Sequence, residues 1–144
     1  MKMLTKFALL AVSVAAVSGQ AFASVPEVVH AKLWNHNDGK MGITTDVSRV
    51  KAGKIDFEVS NDSGNMVHEM LVVKVNSFNE ALPYNPKKAS VIEDQTNDFG
   101  EVSELEPGKS GSLTVDLKPG KYLLVCNMPG HYMSHMYTDL LVTR

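Results

Sequence analysis

Cysteine is almost absent from this chain of 144 residues: Cys126 stands alone. A single thiol forms no intrachain disulfide, no Cys-x-x-Cys redox pair and no four-cysteine zinc site, so those chemistries are excluded. A large excess of charge is also missing, with 14 Lys and Arg against 16 Asp and Glu. Nucleic acid, which requires a basic face, is therefore not an expected partner. Internal repeats and low-complexity tracts are absent, and 44% of the residues are hydrophobic, so neither a disordered nor a collagen-like chain fits. What remains is a length of chain suited to one globular domain.

No apolar run reaches the ~20 residues of a membrane-spanning helix. The longest, over residues 7–17, follows Lys2 and Lys6 and is closed by Ala21-Phe22-Ala23. Small residues at the two positions that a signal peptidase reads make this a secretory leader, cleaved after Ala23. The expected organisation is a signal peptide over 1–23 and one domain over 24–144, exported to the periplasm with no membrane span after cleavage. No cysteine follows the cleavage point, so no lipid attachment is indicated there. In an oxidising compartment a lone thiol is free, paired between molecules or held by a metal.

Short apolar runs broken by turn signals fill the rest. Residues 28–34, 55–59, 67–75, 113–117, 122–126 and 137–142 read as strands, several with the period-2 alternation of a half-buried sheet. Asn35-His36-Asn37-Asp38-Gly39, Asn61-Asp62-Ser63-Gly64-Asn65 and Lys118-Pro119-Gly120 read as turns. Residues 77–98 read as an irregular excursion with one or two short helical turns, and strands resume at Ser110. The pattern is all-β, an antiparallel sandwich or barrel.

The chemistry is concentrated in Cys126-Asn127-Met128-Pro129-Gly130-His131-Tyr132-Met133-Ser134-His135-Met136, which spaces a thiol, an imidazole and a thioether as Cys-x4-His-x4-Met across a Pro-Gly turn. A turn can fold such residues around one point. His68 lies upstream, near the start of an expected strand. Two imidazoles, one thiolate and a weak axial thioether form the ligand set of a blue-copper electron-transfer centre. Thiolate and thioether suit Cu(I), and imidazole suits both oxidation states. His30 and His36, on an early strand and turn, read as surface residues.

On His68, Cys126, His131 and Met136, the chain resembles the cupredoxins, the plastocyanin- and azurin-like type 1 copper proteins. Gly53, Phe57, Val59 and Asn61 before His68, and Pro119-Gly120-x-Tyr122 before Cys126, add to the likeness. The resemblance implies a Greek-key β-sandwich with one mononuclear copper at one end, held by His68, Cys126, His131 and Met136. It implies that the backbone N–H of Glu69 donates to the Cys126 sulfur, and that Glu69 can link to Asn127. Glutamate stands there in place of the more usual asparagine, so it lowers the potential or points away. The resemblance makes the Val67 carbonyl the candidate for the distant axial oxygen opposite Met136. Glu69 as a direct ligand is the lesser reading, and His135 and Met133 read as solvated or packing residues rather than ligands.

Met66, Met128, Pro129, Tyr132 and Met133 could form an apolar collar around His131, where redox partner proteins dock transiently. Lys87-Lys88 and the acidic Glu101, Glu104 and Glu106 read as solvated faces. The expected function is that of a monomeric electron carrier, with copper handling for tolerance or homeostasis as the alternative. Copper enzymes built from several such domains need His-x-His pairs, which this chain lacks, so an enzyme is not expected.

Overall fold

The structure is a computed structural model that describes residues 25–144; the leader read over 1–23 lies outside the described residues. Eleven strands follow in order: β1 (Glu27–Asn35), β2 (Met41–Thr45), β3 (Arg49–Lys51), β4 (Gly53–Asn61), β5 (His68–Val75), β6 (Tyr84–Asn85), β7 (Ser90–Val91), β8 (Asn97–Leu105), β9 (Ser110–Leu117), β10 (Gly120–Val125) and β11 (Tyr137–Thr143). One sheet has the order β2-β1-β4-β9 and the other β3-β11-β10-β5-β8, with β6 and β7 forming a separate ribbon.

Alternation drives the packing. In β4, Ile55, Phe57 and Val59 turn inward while Lys54, Glu58 and their neighbours stay at the surface. Their partners across the core include Met70 and Val72 of β5 and Tyr122 and Leu124 of β10. The run β5 is buried on both faces, which explains its nearly continuous apolar sequence. Its other face carries Leu71 and Val73, packed with Val75, Leu123 and Val125 beneath Leu82 and Val91 of the excursion. The excursion therefore roofs the five-stranded sheet with a second, smaller core.

The all-β sandwich is as expected, but it is not purely antiparallel. Strands β1 and β4 pair in parallel, as do β3 and β11. The chain leaves the first sheet after β2, adds β3 to the edge of the second, and returns as β4. That detour permits a parallel neighbour for β1 without a helical crossover. Strand β8 was expected to be irregular at its start and unassigned beyond. It is an edge strand whose register against β5 shifts twice, between His68 and Met70 and between Leu71 and Val73. Such bulges erase the period-2 signal. Among the described residues there is one short helical turn, at Glu93–Gln95. The Lys87-Lys88 segment is instead the tip of the β6–β7 ribbon, where Asn85 Oδ1 accepts the backbone N–H groups of both lysines.

Candidate metal centre

His68, Cys126 and Met136 stand at one end of the sandwich because their strands begin or end there. His68 opens β5, Cys126 follows β10 and Met136 precedes β11. The approach to His68 is fixed by Asn61, which is 1% exposed. Its Nδ2 donates to the carbonyls of Met66 (2.8 Å) and Leu105 (2.7 Å), and its Oδ1 accepts the Ser63 N–H. On the other side, the Cys126 N–H donates to the Met136 carbonyl at 3.0 Å, closing the base of the loop.

Within the loop the backbone winds back on itself. The His131 N–H donates to the Met128 carbonyl at 2.9 Å, and the Met136 N–H donates to the His131 carbonyl at 3.0 Å. Gly130 has φ +86°, in the left-handed region where a Cβ is strained. The result is convergence: His68 Nδ1 and His131 Nδ1 are 3.2 Å apart, and Cys126 Sγ lies 3.3 Å from His131 Nδ1 and 3.8 Å from His68 Nδ1. His68, Cys126 and Met136 are fully buried and His131 is 7% exposed.

Burial sets the charges. It pushes the His68 pKa down to about 4, with the His131 charge adding to the effect, and it lowers His131 as well. It pushes the Cys126 thiol up to about 11, an effect that the backbones of Glu69 and Met128 offset only in part. Two neutral imidazoles thus present nitrogens to each other and to a sulfur in a buried space. A cation placed among them reverses this balance, since a coordinating thiol loses its proton outright. Two imidazole nitrogens and a cysteine sulfur converge here, and with the buried Met136 at the end of the same loop they have the composition of a type 1 copper site.

No protein-family model and no curated protein sequence matches this chain. Solved structures do. The dithionite-reduced auracyanin of the photosynthetic bacterium Roseiflexus castenholzii superposes with a TM-score of 0.55 at 20% identity, over 85% of this chain and 100% of that one. Auracyanin A, a "blue" copper protein of Chloroflexus aurantiacus, gives 0.53 at 23% over 81% and 99%. Rusticyanin of Thiobacillus ferrooxidans gives 0.58 at 15% over 83% and 79%. This chain has the cupredoxin fold.

On that fold the remaining expectations divide. The Glu69 backbone acts to lower the Cys126 pKa, and the Asn127 backbone acts to lower that of Glu69. Burial, then the nearby Glu101, Glu93 and Glu104, push the Glu69 pKa up to about 7. The group of converging donors comprises His68, Cys126 and His131, and includes neither Glu69 nor His135. His135 is exposed with φ 64°, its ring stacked on Tyr137. Met133 is 59% exposed. Tyr132 does not face outward as a collar residue: its ring packs on the smaller core and its hydroxyl accepts the Leu82 N–H at 3.0 Å. His30 and His36 are exposed, as expected.

Sequence reasoning missed Asn35. This residue ends β1, and its Oδ1 lies 3.3 Å from His68 Nε2. Nothing local marks it, because an asparagine before Asn37-Asp38-Gly39 looks like one more turn residue.

Proposed function

We propose that this protein is a periplasmic type 1 copper protein that carries single electrons between redox partners. His68, Cys126 and His131 would hold the metal, with the Met136 thioether as a weaker fourth donor and the Val67 carbonyl as a more distant oxygen. Copper bound there supplies a one-electron Cu(II)/Cu(I) couple. The observation that carries this reading is the meeting of two imidazole nitrogens and one thiol sulfur within 3.8 Å in a buried pocket. The packed strands and the Asn61 network hold these donors still, as a centre that changes oxidation state with little ligand movement requires.

The chain also offers an exit for the electron. His131 Nε2 has no protein partner among the described residues and is not sealed from solvent. Around it, Met133 and Pro129 are exposed and Met66 and Met128 half-buried, an apolar rim suited to brief encounters through a small interface. No substrate and no catalysis are needed. Export through the leader over 1–23 completes the reading, with the mature domain over 24–144. No helix among the described residues is long and apolar enough to cross a membrane.

The test is to load the purified mature chain with copper and record its absorption, EPR spectrum and voltammogram. A strong thiolate-to-copper band, one copper equivalent and a reversible one-electron wave are expected. Absence of the band, or of a reversible wave, overturns the reading. A second, weaker equivalent that disappears in His135→Ala favours copper handling instead.

A further inference from the structure

The two metal-facing histidines differ in what holds their far nitrogen. That of His131 has no protein partner among the described residues, while that of His68 points into protein. His68 is 0% exposed, so no bulk water reaches it. Its Nε2 is 3.3 Å from Asn35 Oδ1. The carboxamide of Asn35 is itself oriented: its Nδ2 donates to Asn65 Oδ1 at 3.0 Å, which leaves Oδ1 turned toward the imidazole. Asn65 belongs to the turn that leads into His68, and the same turn is tied to β1 by the Asp62 N–H donating to the Leu33 carbonyl at 2.8 Å.

A neutral imidazole has one N–H, on either nitrogen. With the proton on Nε2, Asn35 accepts it and the Nδ1 lone pair faces Cys126 and His131. With the proton on Nδ1, it points at His131 Nδ1, 3.2 Å away, and the donor pocket closes on itself. The Nε2 lone pair would then face the Asn35 oxygen, acceptor against acceptor. Burial makes that mismatch costly.

We propose that Asn35 is a positioning residue of the metal centre: it holds His68 as the Nε2–H tautomer, with the Nδ1 lone pair toward the Cys126 sulfur, and Asn65 fixes which way the Asn35 carboxamide points. The proposal rests on the copper reading for its consequence, but the tautomer belongs to this chain alone. Partners on the far nitrogen of a ligating histidine govern ring orientation and ligand basicity, and their loss typically weakens metal binding about 10–100-fold.

The experiment has two readouts. The first is the His68 tautomer in the metal-free mature protein, read from long-range proton–nitrogen correlations of the imidazole ring. Wild type is expected as Nε2–H, and Asn35→Leu is expected to move toward Nδ1–H. The second is Cu(I) affinity by chelator competition. Asn35→Leu is expected to bind about 10–100-fold more weakly, and Asn35→Asp, which keeps an oxygen acceptor, to restore most of the loss. Asn65→Ala, on an exposed turn, is expected to give a smaller loss in the same direction and serves if Asn35→Leu does not fold. An Nδ1–H tautomer in wild type, or Cu(I) affinity within twofold of wild type in folded Asn35→Leu, overturns the proposal. If wild type takes up no copper at all, the copper reading falls while the tautomer measurement still decides this one.

Discussion

His68 opens a strand hydrogen-bonded on both sides, to β10 and β8, whereas His131 sits in a turn with no strand of its own. The first is fully buried with its far nitrogen on Asn35; the second is 7% exposed, in a loop where Pro129 and Met133 are exposed. The site is thus half sheet and half loop. The sheet half supplies a fixed donor that neither solvent nor a partner protein can reach. The loop half supplies Cys126, His131 and Met136 together, and leaves one imidazole slightly exposed. The proposed electron carriage would use both properties, since a ligand held rigidly limits reorganisation and a ligand near the surface shortens the path for the electron.

The largest effect should come from Cys126→Ser, which removes the only sulfur able to act as a thiolate. Complete loss of the thiolate-to-copper band is expected in a chain that keeps its β-sheet circular dichroism. A more discriminating test compares the halves directly. His131→Gly opens a gap at the rim that added imidazole can enter, so the blue band should return on titration. His68→Gly opens a gap behind the sheet, beneath fully buried neighbours, and should recover little. Equal rescue of both would break the distinction between the sealed and the open donor.

These halves were not equally legible from sequence. The Cys-x4-His-x4-Met spacing lies within one short segment, and a turn can be read to fold such residues together. His68 gained its role only from the donor loop downstream, because a histidine beginning an apolar strand is ordinarily a packing residue. Asn35 was out of reach altogether: its meeting with His68 depends on the ends of β1 and β5, in different sheets, arriving at the same place. The fold shows the same division. Strands with uninterrupted alternation, such as β4, or with continuous apolar residues, such as β5, were read nearly to their ends. Strand β8 was hidden by its bulges, and β3, three residues long, had no room for a pattern.

Glu69 sharpens the comparison on the sheet side. Its pKa is raised from 4.5 to about 7, so the folded state disfavours the carboxylate. The sign follows: the penalty begins above the unfolded pKa, grows as pH rises, and is complete above about 7. In the metal-free protein, Glu69→Gln should therefore gain stability over wild type progressively between those values, reaching about 3 kcal/mol, with no difference below pH 4.5. His68 acts oppositely, since its pKa falls to about 4: stability is lost as pH drops from 6.5 toward that value. Denaturant unfolding at a series of pH values reads both slopes, and a pH-independent difference between wild type and Glu69→Gln would contradict the buried carboxylate.

The loop half has no ladder of its own, so something else must hold it, and the excursion does. Asn127 Oδ1 accepts the Val91 N–H at 2.6 Å, and its Nδ2 donates to the Val91 carbonyl at 3.2 Å and to Glu93 Oε1 at 2.7 Å. A side chain thereby pairs both backbone groups of Val91, as a neighbouring strand would. The Gly130 N–H donating to the Ala89 carbonyl at 2.7 Å and the Tyr132 hydroxyl accepting the Leu82 N–H extend the seam along the loop. In Asn127→Leu the Val91 groups lose their partners where Asn127 itself is 7% exposed, at a cost of about 1–3 kcal/mol. Tyr132→Phe removes one bond at the half-buried end of the seam and should cost about 1 kcal/mol or less. Amide exchange locates the damage: both variants should speed exchange over residues 127–135 while the β5 amides beside His68 keep their protection up to global unfolding. Equal loss on both sides would mean that the loop and the sheet open together, and that the excursion braces the whole end of the sandwich rather than the open half alone.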